Sequence, residues 1–352
     1  MAYTNIDDPS VHFQALTYTG TGNELILTND GNSDLQPDFL WIKNRTDNST
    51  NHHAHNTNVS STQTLFVNKT DYEETQSQSV KSIQSDGFTL GTWGGNNISS
   101  KNFVAWQWKA NGGTTSSNTD GNITSTVQAN TDAGFSIVTY TGNGSNNQTI
   151  GHGLGVQPSW WIVKRRDSTD DWFVGASSVL GGTSNYVRLN SGSANASSNN
   201  IWGDSPASSS VFRVSNDAGL NANSGTYVAY LFANKQGYSK FGSYVGNGNN
   251  DGAFVYTGFK PAFVLLKVTD DARDWRLYDS ARSPNNVIGK YLSPPTADDE
   301  GTTSSLQVDF LSNGFKFRGT HVSTNQSGKT FIYQAFAENP FVTSTGIPTT
   351  AR

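Results

Sequence analysis

The sequence predicts an all-β protein made of three tandem antiparallel β-sandwich units, and three observations carry that prediction. One phrase opens each unit: Tyr18-Thr-Gly-Thr-Gly22, Tyr140-Thr-Gly-Asn-Gly144 and Tyr244-Val-Gly-Asn-Gly248. A proline then leads an apolar run ending in lysine: Pro37-Asp-Phe-Leu-Trp-Ile-Lys43, Pro158-Ser-Trp-Trp-Ile-Val-Lys164 and Pro261-Ala-Phe-Val-Leu-Leu-Lys267. Each unit closes on an aromatic-rich run: Phe103-Val-Ala-Trp-Gln-Trp108, Tyr227-Val-Ala-Tyr-Leu-Phe232 and Phe331-Ile-Tyr-Gln-Ala-Phe336. A period of about 100 residues is the size of a domain and far longer than a solenoid repeat.

Each element follows from its local pattern. The runs 39–42, 159–163 and 262–266 are apolar without a break and too short for core helices, so they read as buried strands entered at a proline. Gly87-Phe-Thr-Leu90, Val211-Phe-Arg-Val214 and Gly314-Phe-Lys-Phe317 alternate, placing Phe88, Phe212 and Phe315 inward and leaving one wet face. In the closing runs a small residue between aromatics implies two sheets packed closely face to face. The boundaries expected are 1–111 for the first unit, with a divergent histidine-containing loop, then a Gly/Ser/Thr-rich linker at 112–132 that frees the first unit to move. The second unit is 133–235, the third 236–340, and 341–352 is a C-terminal tail.

Composition narrows the function. Only 14% of the 352 residues are charged, and 35 glycines with abundant Asn, Ser and Thr indicate many turns and a neutral polar surface. A net charge of -5 gives no concentrated basic field, so nucleic acid is excluded as a partner. The one basic run, Lys164-Arg165-Arg166, reads as a solvated strand end, its charge balanced by Asp167, Asp170 and Asp171. With no cysteine there is neither disulfide nor thiolate metal site. The start Met1-Ala-Tyr-Thr-Asn-Ile has no signal-peptide pattern and no run nears the ~20 apolar residues that span a bilayer, so synthesis in a cytoplasm without membrane insertion is expected.

Candidate chemistry is sparse. His52, His53 and His55 are the most metal-like group, but they stand in an Asn/Thr/Ser context without converging carboxylates, so the expectation is an exposed polar loop, with partner contact as its functional use and no metal. Gly151-His-Gly-Leu-Gly155 leads into a strand and reads as a turn. The acid groups Asp170-Asp171 and Asp298-Asp299-Glu300 are expected to face solvent, with calcium left open as a ligand. No catalytic residue and no cofactor is assigned. Asp171-Trp172 and Asp274-Trp275 lie at equal distance after their prolines, where the first unit has Asn51. A tryptophan so repeated is either a core anchor or an aromatic surface for sugar or protein. Trp172, Trp275, Arg276, Tyr278, Asp279 and Arg282 are the candidate contact residues, since aromatics and arginines concentrate at binding hot spots.

Tyr140-Thr-Gly-Asn-Gly-Ser145, Gly151-His-Gly-Leu-Gly-Val156, Phe241-Gly-Ser-Tyr244, Phe310-Leu-Ser-Asn-Gly-Phe315 and Ala335-Phe-Ala-Glu-Asn-Pro340 resemble modules in structural proteins of marine tailed phages. The resemblance spans roughly residues 10–340 and is strongest from 133 onward. It implies jelly-roll or concanavalin-A-like sandwiches in a virion protein exposed on the particle, a short tail fibre, spike or adhesin engaging a host surface glycan or receptor, or alternatively a capsid decoration protein contacting only other virion proteins. It further implies a homo-oligomer, with a trimer favoured, and assigns no catalytic residue. A polysaccharide-degrading spike is the remaining alternative.

Overall fold

The computed structural model describes residues 2–349; Met1 of the expected first unit and Thr350, Ala351 and Arg352 of the expected tail lie outside the described residues. The chain is all-β, with several antiparallel sheets and only single-turn helices. Three repeats use one strand order. The central strands, Phe39–Asn44, Trp160–Arg165 and Phe259–Val268, contain the predicted apolar runs, except that Ser159 of the run 159–163 lies before its strand. Each pairs with a closing strand, Asn102–Trp108, Thr226–Phe232 or Thr330–Pro340. Beyond it lies an opening strand, Phe13–Thr19, Phe135–Thr141 or Ser239–Val245. The register is the same in all three: Trp108 faces Phe39 and Phe13, Phe232 faces Trp160 and Phe135, and Phe336 faces Phe263 and Ser239.

A fourth strand, His52–Asn56, Trp172–Gly175 or Arg276–Asp279, flanks each central strand, pairing Lys43 with His52 and Lys164 with Trp172. The first-repeat counterpart of the tryptophans is therefore His52, and not Asn51 as spacing suggested. The loop after Lys43 is one residue longer, which a count from the proline cannot detect.

Each repeat adds a minor sheet containing the alternating segments: Leu25–Leu27 with Phe88–Leu90, Gln148–Gly151 with Val211–Val214, and Phe254–Tyr256 with Gly314–Phe317. An apolar cluster joins major and minor sheets in each repeat, around Ile42, Phe88 and Phe103, around Val163, Phe212 and Tyr227, and around Val264, Phe315 and Phe331. Each opening tyrosine stacks on the first closing aromatic: Tyr18 on Phe103 at 5.1 Å, Tyr140 on Tyr227 at 5.0 Å and Tyr244 on Phe331 at 4.9 Å.

A buried asparagine latches the glycine turn behind each tyrosine. Asn97, Asn221 and Asn325 accept from the backbone amides of Gly22, Gly144 and Gly248, all at positive φ, and their side-chain oxygens accept from Thr21, Asn143 and Asn247 N–H. The tyrosine hydroxyls bond the carbonyl just before each asparagine, those of Asn96, Leu220 and Thr324. Asn221→Leu removes the bonds that the buried Asn221 side chain makes to the Asn143 amide and to Ser145 O. It is expected to cost about 1–3 kcal/mol in urea unfolding, the net worth of the hydrogen bonds lost.

The other face of each major sheet meets the other repeats. A shared cluster takes Phe13, Trp41 and Trp106 from the first repeat, Phe135, Ile162 and Tyr230 from the second, and Phe241, Leu265 and Trp275 from the third. At its centre the equivalent residues Trp108, Phe232 and Phe336 form a triangle with ring centroids 6.5, 5.7 and 5.6 Å apart. This second core explains why the central strands are apolar without alternation: both of their faces are covered.

The expected linker is built into the sheets. Ser116–Asn118 and Ser125–Asn130 extend the second repeat's major sheet beyond its opening strand. Asp38 of the first repeat pins the start of the segment, accepting from the amides of Ala110, Gly112 and Gly113 at 2.7, 2.8 and 2.8 Å and from the Thr57 hydroxyl at 2.7 Å. The composition is linker-like because these residues meet polar partners, and the independent motion expected of the first unit has no free segment to work through. Residues 341–349 fold back on themselves, and Ser344 bonds Asp7 at 2.6 Å through its amide.

Candidate functional site

The predicted contact residues converge, but on three equivalent seams inside the chain. Lys164 Nζ donates to Thr70 O of the first repeat at 3.0 Å, Lys267 Nζ to Gly192 O of the second at 3.2 Å, and Lys43 Nζ to Ala297 O of the third at 3.0 Å. All three lysines are fully buried, and each also donates to carbonyls of its own repeat. Burial pushes each ammonium down to about 8, against the upward pull of Asp47 on Lys43, Asp170 on Lys164 and Asp274 on Lys267. Three residues beyond each acceptor, a backbone amide crosses the same seam: Glu73 to Arg166 O, Asn195 to Thr269 O and Glu300 to Arg45 O, at 2.8, 2.8 and 2.9 Å. In two seams the side chains pair as well, Arg166 with Glu73 at 2.6 Å and Arg45 with Glu300 at 2.9 Å. Lys164 and Arg166 are thus a seam, which corrects the solvated strand end expected there; Glu300 likewise turns inward to Arg45.

Trp172 and Trp275 belong to the same seams. Trp172 Nε1 donates to Phe66 O of the preceding repeat at 2.9 Å, and Trp275 Nε1 to Arg188 O at 2.8 Å. Both are buried, so they are anchors between repeats and do not form an aromatic surface. Asp279 and Arg282 close the seam between third and first repeats: they pair at 2.6 Å with no side-chain exposure, Trp106 Nε1 donates to Asp279 Oδ2 at 3.0 Å, and the guanidinium lies 5.8 Å over the Trp106 ring. Tyr278 is buried and bonds Leu306 O at 2.8 Å. Of the predicted cluster, Arg276 alone borders a cleft open to solvent.

His52, His53 and His55 lie on a strand covered on both faces, which corrects the exposed loop and removes them as a partner-contact surface. His52 Nδ1 accepts from Trp41 Nε1 at 3.0 Å. His53 bonds Asn96 Oδ1 at 2.7 Å and packs edge-on against Trp93 at 4.6 Å. His55 Nδ1 faces the carbonyls of Ser61 and Gln63, both at 3.0 Å, so its proton sits there and Nε2 accepts from Asn96 Nδ2 at 3.2 Å. Ser79 Oγ is 3.3 Å from His55 Nε2, a nucleophile-and-base distance, yet both residues are buried. Among the described residues no three His, Cys, Asp or Glu side chains gather as a metal site.

The cleft beside Arg276, about 410 Å³, lies where the second and third repeats meet and is lined by Gly192, Arg273, Asp274, His321 and Ser323. It exists because the repeats differ at two equivalent positions. The first repeat places His53 against Trp93 and fills the space; the third places Arg276 and His321 there. Arg276 donates to Ser293 Oγ at 2.5 Å and to Trp275 O at 3.1 Å, while its buried Nε has no partner. Burial, with Arg276 and Arg273 nearby, holds the His321 imidazole below its ordinary value. Sequence reading singled out Arg276 but missed Arg273 and His321, and it missed the latch asparagines and the seam lysines. The lysines had a signal, since one ends each apolar run.

Fold and seams together define a repeat-built all-β protein whose three parts close around one shared core. No described helix is long and apolar enough to cross a membrane. The chain belongs to the family described as Domain of unknown function (DUF7483), which matches residues 8–340. No curated protein matches the chain.

Proposed function

We propose that this chain is a noncatalytic structural protein of a tailed-phage particle, exposed on its surface and used in host attachment, with three jelly-roll or concanavalin-A-like sandwiches as its modules. The observation that carries the reading is the cyclic set of seams, which makes one rigid display body and spends the buried charged groups on holding it together. The repeated phrases that resemble phage structural modules supply the virion context. The Arg273, Asp274, Arg276 and His321 cleft is the attachment site in this reading, since its mixed donors and acceptors suit a polyhydroxy or acidic glycan of the host surface. Other virion proteins are the expected neighbours, and further copies of the chain, a trimer first, would raise avidity.

Particles carrying Arg273→Ala together with His321→Ala are expected to adsorb to host cells at least tenfold more slowly while the purified variant keeps its unfolding midpoint. Unchanged adsorption would remove the attachment role from this cleft. A particle lacking the protein that adsorbs normally but loses heat stability would instead establish capsid decoration, the alternative that the cross-repeat rigidity also suits.

A further inference from the structure

The first repeat's opening strand, Phe13–Thr19, is an edge strand, paired only with the closing strand. Its counterpart in the second repeat, Phe135–Thr141, is paired on both sides, because Ser125–Asn130 lies along its outer edge. That added strand is held in the seam between repeats: Asn58 Nδ2 of the first repeat donates to Thr126 O and to Thr139 Oγ1, both at 3.1 Å, and Gln128 Nε2 donates to Thr57 Oγ1 at 3.0 Å.

The equivalent place in the seam between the third and first repeats is an open cleft of about 600 Å³. Gln14, Ala15 and Thr17 line one wall and correspond to Ser136, Ile137 and Thr139 by strand register. Ala262, Ser280 and Ala281 line the other and correspond to Asp38, Thr57 and Asn58, the residues that hold the inserted segment in the other seam. The walls have the same origin, but Ala15, Ala262, Ser280 and Ala281 are smaller than their counterparts Ile137, Asp38, Thr57 and Asn58.

We propose that this cleft is a docking seat for an extended peptide segment of a partner protein, which adds antiparallel to Phe13–Thr19 as Ser125–Asn130 adds to Phe135–Thr141. An edge strand offers backbone N–H and C=O groups at strand spacing, and another backbone satisfies them in a way that a glycan does not. The tail of a second copy is not the occupant, because the segment after the third closing strand is tied back through Ser344 to Asp7. Its composition should resemble that of Ser125-Thr-Val-Gln-Ala-Asn130, with small and polar residues alternating, and it should not be acidic, because Asp30 stands at the rim while Glu338 there is paired with Lys260. This inference goes beyond the attachment reading and stands or falls independently of it.

The test uses the full chain and, as probe, a synthetic peptide copying residues 116–130. Saturable binding by fluorescence anisotropy is expected, with slowed hydrogen exchange confined to Phe13–Thr19, and Ala281→Trp should weaken it at least tenfold. Because Ala281→Trp can disturb the fold, a second probe N-methylated at alternate residues is added, and it should also bind at least tenfold more weakly. Overturning results are no saturable binding, equal binding of the methylated probe, or amides of Phe13–Thr19 that exchange as slowly as those of Phe135–Thr141 without any peptide. Protection of the same strand by neutral oligosaccharides alone would also overturn it and assign the cleft to carbohydrate.

Discussion

Shifting the pH from about 7.5 to about 4.5 is expected to remove several kcal/mol of unfolding free energy, and the first repeat's histidine strand is the cause. Burial holds His53 at about 3 and His55 at about 4, the neighbouring His55 charge adding to the effect on His53, and His52 lies well below its ordinary value for the same reason, with Lys43 next. Each folded-state value is lower than the 6.5 of a free imidazole, so below that pH the unfolded chain binds protons that the folded chain refuses. The contribution is whole above pH 6.5, declines as pH falls, and is gone once pH passes the folded values. At about 1.4 kcal/mol per pH unit, two units amount to about 2–3 kcal/mol for each of His53 and His55. Two such terms are a large share of the ~5–15 kcal/mol that holds an ordinary domain together, and His52 acts in the same direction. Denaturant midpoints at the two pH values measure it. A difference below about 1 kcal/mol would mean that these imidazoles are solvated and that the strand is not closed on both faces.

Trp275→Ala is expected to cost about 3–5 kcal/mol, the range for truncating a buried aromatic. It opens a cavity in the shared core next to Trp160, 6.1 Å away, and leaves Arg188 O with only the longer 3.4 Å bond from the Ser191 amide. Trp275→His should recover part of the loss, since His52 occupies the same position in the first repeat. A thermal melt distinguishes the two substitutions. If Trp275→Ala melts with the parent protein but loses binding to a host glycan, the residue is an exposed ligand platform and the seam geometry is wrong.

Much of the strand pattern was legible because it depends on short-range rules. The unbroken apolar runs at 39–42, 159–163 and 262–266, the alternating segments around Phe88, Phe212 and Phe315, and the closing aromatics all form strands where those patterns fall. What covers the second face of the central strands was not legible. An unbroken apolar strand announces two covered faces, but the cover for one of them comes from residues far along the chain. Trp172, Trp275, Asp279 and Arg282 carry the residue types of a binding hot spot because a seam between repeats is a protein interface, and no local pattern tells an interface within one chain from one between chains. The histidines misled for a related reason. Polar side chains here suggest solvent until Trp41 is seen to bond His52, Asn96 to bond His53, and Ser61 and Gln63 to bond His55. The 112–132 segment shows the same effect, since its strands hold their place through Asp38, Thr57 and Asn58 of another repeat.

The three seams also set an order of events during synthesis. Two of them join neighbouring repeats, so each can close soon after the later partner leaves the ribosome. The seam between the first and last repeats joins Lys43 to Ala297 and Arg45 to Glu300, partners separated by 254 and 255 residues. At a translation rate of roughly 5–20 residues per second, the first repeat waits on the order of ten seconds or more without the third-repeat partners of Trp106 and His52. A truncated product ending before the third repeat therefore lacks more than its own missing part: it exposes the seam faces of the first and second repeats that the third repeat covers, and becomes a natural substrate for chaperones or proteolysis.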